Sequence, residues 1–299
     1  MGSKSLLMAA ACLALSAAPQ ERPPVKADAP IACSACAEWN APREPFRVFG
    51  NTYYVGVGGL SSVLIASDEG HVLLDGALPQ SAPQIAASIG ALGFDVRDIR
   101  LIAASHEHFD HVGGIAALQR ATGAVVVSSH AGARALQQGE PTPEDPQYAF
   151  GRAANGYPPV ATVRVVEDGE TLRVGGIALT AHLTPGHTPG STTWTWRSCE
   201  GTRCLDMVYA DSLNPVSAPG FRFSRDLARV DAFRASIAKV RALPCDVLLA
   251  VHPGFADLDG KRRRRQEGMQ PDPFIDRGAC RAYADAASAS LARRLQGER

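Results

Sequence analysis

The strongest constraint on the fold is the motif His-Glu-His-Phe-Asp-His at residues 106–111, which comes one residue after a mainly apolar run at residues 99–104. The apolar run predicts a buried strand, and sites in α/β proteins form at the carboxyl ends of strands. Alternate residues of an extended loop face the same way, so the first two histidines can bind one metal ion. The aspartate and the third histidine come one turn later and can reach a second ion. The motif therefore predicts an α/β fold with a metal site at a sheet edge.

Two more histidines stand where additional ligands are needed. His187 lies in a Thr-Pro-Gly-His-Thr-Pro-Gly loop, and His252 follows the apolar run at residues 246–251. Imidazole and carboxylate groups together suit Zn²⁺. Five histidines and one aspartate suffice for three protein ligands on each of two ions. The other three of the eight histidines have no ligand spacing, and we expect them to be structural or surface residues: His71, His130 and His182.

A zinc pair indicates a reaction class. Zn²⁺ lowers the pKa of a bound water molecule toward about 7 and can also bind a leaving atom. The expected chemistry is metal-assisted hydrolysis of an acyl or phosphoryl centre. The alternative is a structural zinc site in a protein that is not an enzyme. Such sites are usually closed and often use cysteine, unlike this open His/Asp set.

The order of predicted elements favours two similar halves, each a sheet covered by helices. Strands alternate with helices in the first half, which predicts βαβ units, and the pattern restarts after a Gly- and Pro-rich loop at residues 138–159. In the first half we expect strands at residues 52–57, 62–67, 71–74, 99–104 and 124–128, and helices at 81–92 and 115–120. In the second half we expect strands at residues 162–166, 171–174, 177–182, 191–197, 207–210 and 246–251, and helices at 227–243 and from 281.

Charge argues against a polyanionic partner. The 30 Lys and Arg residues balance 30 Asp and Glu residues, so the formal net charge is zero. A protein without a net positive field is not expected to bind nucleic acid or an anionic membrane surface. The basic run at residues 261–265 is accordingly predicted to be a solvated loop.

The N-terminal sequence predicts export. A lysine precedes an unbroken run of small apolar residues at 6–18, which is too short to span a membrane. We expect residues 1–18 to be a signal peptide, 19–45 an extended arm and 46–299 a single metallo-hydrolase domain. The predicted location is the periplasm, without a membrane span.

The cysteines predict disulfide bonds. Removal of residues 1–18 takes Cys12 away and leaves six of the seven cysteines, an even number in an exported protein. Cys199 and Cys204 flank four residues between two strand-like runs and can close a hairpin tip. Cys33 and Cys36 are close together, and Cys245 with Cys280 then pair by elimination. A redox or zinc role for the Cys33/Cys36 pair is the alternative, but a zinc ribbon needs a second such pair, which the sequence lacks.

The motif, the His187 loop and the position of His252 resemble the metallo-β-lactamase superfamily. The segment Tyr-Ala-Asp-Ser-Leu-Asn at residues 209–214 resembles the third subclass of class B β-lactamases. In the other dizinc subclass a cysteine ligand occupies the place of Ser212. The resemblance implies a four-layer αββα sandwich with the site at one rim.

The resemblance also implies the ligand sets and the activity. The first zinc would be held by His106, His108 and His187, and the second by Asp110, His111 and His252. The chain would be a dizinc β-lactamase, active on small-molecule β-lactams including carbapenems. Separately, we expect it to be a monomer.

Roles for other residues follow from the same resemblance. Asp110 with a zinc-bound hydroxide would carry out catalysis, Ser212 and Asn214 would bind the substrate carboxylate, and Asp75 would fix a ligand loop. The competing hypothesis is a lactonase or thioesterase of the same superfamily. In those enzymes an aspartate bridges both metals, and Asp211 would take that role after a shift of one residue in register.

Overall fold

The computed structural model describes Gly2 and residues 24–299. The predicted signal peptide therefore lies, apart from Gly2, outside the described residues. The arm contains one helical turn, α1 (Cys36–Trp39). Within residues 24–299, the structure contains no helix that is both long enough and apolar enough to cross a membrane.

The first sheet contains seven strands that lie side by side in chain order. The first four are antiparallel neighbours, and the fourth to the seventh run parallel. The strands are β1 (Phe46–Phe49), β2 (Thr52–Tyr54), β3 (Val63–Ile65), β4 (His71–Leu74), β5 (Ile99–Ala103), β6 (Val125–Ser128) and β7 (Val163–Val165).

The second sheet contains five strands in the order β12-β11-β10-β9-β8. β8 to β11 are antiparallel neighbours, while β12 runs parallel to β11. Consequently β9, β11 and β12 all point the same way. The strands are β8 (Thr171–Val174), β9 (Ile177–Leu183), β10 (Thr192–Glu200), β11 (Arg203–Ala210) and β12 (Val247–Ala250).

Helices cover the outer face of each sheet and complete four layers. The longer helices against the first sheet are α2 (Ala82–Ala91), α4 (Ile115–Thr122) and α5 (His130–Gln138), and those against the second are α7 (Leu227–Ala242) and α9 (Ala279–Gly297). Other helices lie in connections: α3 (Phe109–Val112), α6 (Arg152–Asn155) and α8 (Leu258–Gln266).

The alternation of strand residues explains the layers. Leu73 of β4 packs outward in the same apolar cluster as Ile89 of α2, whereas its neighbour Leu74 packs inward with Trp194 and Met207 of the second sheet. Successive side chains of a strand point to opposite faces, so an apolar strand can serve two cores. The predicted αββα sandwich is confirmed.

The basic run at residues 261–265 was predicted to be a loop, and that prediction is wrong. These residues lie in α8, and Lys261 is only 6% exposed. Arg265 donates to the Asp272 carboxylate and to the carbonyl oxygen of Val48 (2.9 Å), and its guanidinium stacks on the ring of Phe274. The carboxylates of Glu44, Asp257 and Asp272 pair with arginines of the run and offset its charge within the helix. Helix α5 and strand β1 also lie where no element was predicted.

The structure places the sulfur atoms of the three predicted cysteine pairs next to one another. The Cα atoms are 5.0 Å apart for Cys33 and Cys36, 4.0 Å for Cys199 and Cys204, and 6.3 Å for Cys245 and Cys280. The second pair closes the β10–β11 hairpin, and the third ties the start of β12 to α9.

Thiol titration tests whether these pairs are oxidised. In the chain without residues 1–18, denatured but not reduced, we expect no reactive thiol, and six after reduction because Cys12 is one of the seven cysteines. Two free thiols per chain before reduction would contradict the prediction for one pair, and peptide mapping of the labelled protein would identify which.

Candidate metal centre

The predicted ligands meet at one rim of the sandwich because the strands that deliver them end there. Residues 105–111 follow β5, the loop at residues 184–190 follows β9, and His252 comes two residues after the end of β12. Asp75 follows β4 and Asp211 follows β11. These strands run parallel within each sheet, so their carboxyl ends form a common edge.

Five histidine rings and one carboxylate lie together at this rim. The rings of His106, His108 and His187 are mutually 4.8–4.9 Å apart between centroids, and those of His111 and His252 are 4.9 Å apart. Asp110 Oδ2 lies 3.1 Å from His111 Nε2 and 3.5 Å from His252 Nε2.

Two groups of potential ligand atoms in the described part of the chain are compact enough for a metal ion. One consists of His106, His108 and His187, which is the predicted first set. The other contains Asp110 and His111 together with His106. His252 is not in the second group, although its Nε2 faces Asp110.

Each of four rings is held from behind by a hydrogen-bond acceptor. His106 Nδ1 donates to Asp211 Oδ1 (2.6 Å), and His108 Nε2 donates to Asp145 Oδ2 (3.0 Å). The other two donate to backbone carbonyls, His187 Nδ1 to Asn214 (2.7 Å) and His252 Nδ1 to Gly59 (3.1 Å). Such contacts fix the tautomer and the ring orientation of metal-binding histidines.

The protonation of the donors fits a zinc-type cation. Burial lowers the pKa of His187 to about 3 and that of His252 to about 4, so both rings are neutral and keep a free lone pair. Burial would raise the pKa of Asp110, but the adjacent His111, whose Nε2 lies 3.1 Å from the carboxylate, holds it well below its usual range. His106 Nε2 is buried and has no hydrogen-bond partner. A cation would satisfy that nitrogen.

His108 behaves differently from the other rings. Burial acts to lower its pKa, but the adjacent Asp145 carboxylate raises it to about 9. Asp145 was not predicted as a site residue. It lies in the segment 138–159, 37 positions from its partner, and nothing in the sequence spacing connects the two.

Asp75 fixes the segment that precedes the motif. Its Oδ1 accepts from the backbone N–H of Ser105 (2.7 Å), and its Oδ2 accepts from the Ser105 hydroxyl (2.7 Å) and from the Tyr209 hydroxyl (2.8 Å). Asp75 has φ of 58°, a left-handed conformation that is uncommon for a residue with a side chain. This carboxylate therefore joins β4, the motif loop and β11 directly behind the ligands.

Glu107 joins two of the ligand loops and was not predicted as a site residue either. It is fully buried; Oε1 accepts from Gly190 N (3.0 Å) and Oε2 accepts from the Thr188 hydroxyl (2.8 Å). A side chain at Gly190 would collide with this carboxylate. Burial raises the pKa of Glu107 to about 7. The sequence shows Glu107 within the motif, but it does not show that Thr188 and Gly190, more than 80 positions away, are its hydrogen-bond partners.

The predicted substrate-binding residues lie on the loop after β11. Ser212 is 2% exposed, and its hydroxyl oxygen accepts from Asn214 N (3.4 Å). Asn214 is half-buried, and its carbonyl holds His187. Asp211 is fully buried behind His106, and neither compact group of ligand atoms includes it.

Comparison with known proteins gives matches along most of the chain. A family model described as the metallo-β-lactamase superfamily matches residues 55–268. The solved structure of Rm3 metallo-β-lactamase is 51% identical with a TM-score of 0.85, and the match covers 89% of this chain and 99% of that one. MEM-A1, a subclass B3 metallo-β-lactamase from a soil metagenome, is 50% identical with a TM-score of 0.83, over 87% and 98% of the two chains.

Two curated relatives are named hydroxyacylglutathione hydrolases and not β-lactamases. A hydroxyacylglutathione hydrolase of Anaeromyxobacter dehalogenans is 32% identical over 64% of this chain and 59% of its own length. One of Rhodopseudomonas palustris is 25% identical over 57% and 53%, respectively. The chain thus spans little more than half of the length of these two relatives.

Metal removal should destabilise the fold. Without a cation the inner nitrogen of His106 stays buried and unpaired, and any ion held in the folded state alone adds its binding free energy to stability. We expect a strong chelator to lower the melting temperature by about 10 °C, and added zinc to restore it. An unchanged melting temperature in protein shown by elemental analysis to be metal-free would contradict this account.

Substitution of Glu107 should weaken metal binding. Glu107→Ala leaves Gly190 N–H and the Thr188 hydroxyl unpaired and frees the loop that carries His187, so we expect zinc affinity to fall by about 10- to 100-fold. Glu107→Gln keeps an acceptor for the Gly190 N–H, so its zinc affinity should fall less than that of Glu107→Ala.

Competition with a chromophoric zinc chelator measures these affinities. Glu267→Ala, at an exposed position, is the matched control and should bind zinc like the unmodified chain. Unchanged affinity in Glu107→Ala would rule out the positioning role.

Proposed function

The chain belongs to the metallo-β-lactamase superfamily and is a hydrolase of that family, and from this premise we propose that it hydrolyses the lactam amide of β-lactam antibiotics, with two zinc ions per chain. His106, His108 and His187 would hold one ion, and Asp110, His111 and His252 the other. Bound zinc would supply Lewis acidity that polarises the substrate carbonyl and lowers the pKa of water.

The observation that carries the proposal is the position of Asp211. Its Oδ1 accepts from His106 Nδ1 at 2.6 Å, so this carboxylate supports a ligand from behind. The competing hypothesis requires the same carboxylate to bridge two metals. The match to solved metallo-β-lactamases over nearly their whole length also supports lactam hydrolysis over the competing hypothesis.

Asp110 has a second task beside ligation in this proposal. Its carboxylate stays ionised because the adjacent His111 lowers its pKa, and an ionised carboxylate only accepts hydrogen bonds. It would therefore accept a hydrogen bond from the attacking water and turn the water's lone pair toward the lactam carbonyl carbon.

Recognition of the substrate carboxylate would fall to the loop after β11. The hydroxyl oxygen of Ser212 accepts from Asn214 N, which leaves the hydroxyl proton for an anionic acceptor. The Asn214 side-chain amide, on a half-buried residue, can donate to the same carboxylate.

Thioester or lactone hydrolysis is the second candidate. It is favoured by the curated relatives, which are named hydroxyacylglutathione hydrolases. It would require Asp211 to leave His106 and turn toward the metals.

Further features of the proposed enzyme rest on the sequence. We propose that residues 1–18 direct the chain to the periplasm, that residues 19–45 form an arm before a single domain at 46–299, and that the cysteine pairs are oxidised there. We also propose that the protein acts as a monomer and that its substrates include carbapenems.

A substrate comparison tests the proposed function. We expect zinc-loaded protein to hydrolyse a carbapenem, and a chelator to abolish turnover, because the proposed reaction depends on the metal centre. An acyl-homoserine lactone and a hydroxyacyl-glutathione thioester serve as the alternative substrates. Turnover of only the lactone or the thioester would favour the second candidate, and turnover unaffected by chelation would refute a metal mechanism.

A further inference from the structure

An apolar groove of about 300 Å³ runs beside the metal centre between the loop after β11 and helix α9. Its walls include Leu213, Asn214, Phe255 and Tyr283, and the small side chains of Ala286 and Ser290 leave its floor open. We refer to this feature as the α9 groove.

The α9 groove adjoins the metal centre through two of its lining residues. Phe255 lies in the turn directly after His252, and the two ring centroids are 5.1 Å apart. On the opposite wall, the carbonyl of Asn214 accepts from His187 Nδ1 (2.7 Å). The groove therefore begins at residues that touch a ligand of each proposed zinc ion.

The chemistry of the walls selects an apolar occupant. No charged side chain lines the groove, and the Phe255 ring is 40% exposed. The Tyr283 hydroxyl is already used, since it donates to the carbonyl of Asp211 (2.7 Å) and accepts from Leu213 N (3.2 Å). Tyr283 thus offers its ring and not its polar end.

The apolar lining of the groove gives way to charged side chains further along α9. The neighbouring hollow further along α9 is lined by Arg222, Arg293 and Arg294. It shares only Asn214 and Ser290 with the α9 groove.

We propose that the α9 groove binds an apolar, flat substituent of the substrate that is carried on the ring atom next to the carboxylate-bearing atom. This rests on the proposed function, in which Ser212 and Asn214 hold that carboxylate. A substituent on the adjacent ring atom then points along Asn214 toward Phe255 and Tyr283. Burial of an aromatic group against these two rings stabilises its binding.

Filling the groove tests the proposal. Ala286→Leu adds bulk at the floor, and Ala292→Leu, at an exposed position on the opposite side of α9, makes the same change outside the groove. The substrates are two cephalosporins with the same C7 group, one with a methyl and the other with an aryl-vinyl group at C3, next to the C4 carboxylate.

We expect Ala286→Leu to lower kcat/KM for the aryl substrate about tenfold more than for the methyl substrate. Ala292→Leu should leave kcat/KM for both substrates unchanged. Equal effects of Ala286→Leu on the two substrates would overturn the proposal.

A binding measurement separates this proposal from the proposed function. The probe is cinnamate, a flat aryl carboxylate that contains no lactam, titrated into zinc-loaded protein by calorimetry. We expect Ala286→Leu to weaken cinnamate binding about tenfold and Ala292→Leu to leave it unchanged. If no lactam is hydrolysed but this difference appears, the groove is supported and the proposed function fails. Equal cinnamate affinity in all three proteins overturns the groove whether or not lactams are hydrolysed.

Discussion

The arrangement of this protein depends on gathering five imidazoles at one place, four of them buried, and on finding partners for their ring nitrogens. An imidazole has two ring nitrogens, and a buried polar atom without a partner is costly. The outward nitrogens of four rings are satisfied by the carboxylates of Asp211 and Asp145 and by the carbonyls of Asn214 and Gly59. His106 Nε2 and both ring nitrogens of His111 are buried without a hydrogen-bond partner, and a cation inside the cluster would satisfy the nitrogens that face it. The ring cluster and its acceptors therefore form one unit with the metal.

The direction of the strands in the two sheets brings the members of this unit together. Ligand loops leave the carboxyl ends of β5, β9 and β12, and buried acids leave those of β4 and β11, so one rim receives all of them. Asp75 and Glu107 then tie neighbouring loops together with hydrogen bonds of 2.7–3.0 Å. Because each acid bonds to a different loop, the ring positions are fixed relative to one another and not only to their own strands. Helix α9 adds a further tie through Tyr283, which bonds to the loop that carries Ser212 and Asn214.

The sequence predicted the fold and the members of the ring cluster because both have short-range signatures. The motif at residues 106–111 follows an apolar run, and His187 and His252 stand at strand ends that the same pattern identifies. Long-range partners have no such signature. Asp145 is 37 positions from His108, and Arg265 is 217 positions from the Val48 carbonyl to which it donates. The choice between a supporting and a bridging role for Asp211 was also beyond the sequence, because it depends on which side of His106 the carboxylate occupies.

The most direct test of the account is a crystal structure of the zinc-loaded protein, with the ions located by anomalous scattering at the zinc edge. The account predicts two zinc peaks per chain, with Asp211 still hydrogen-bonded to His106 Nδ1 and outside the coordination sphere of both ions. A single peak would contradict the proposed pair. An Asp211 carboxylate bridging two peaks would contradict the lactamase assignment and support the thioesterase or lactonase.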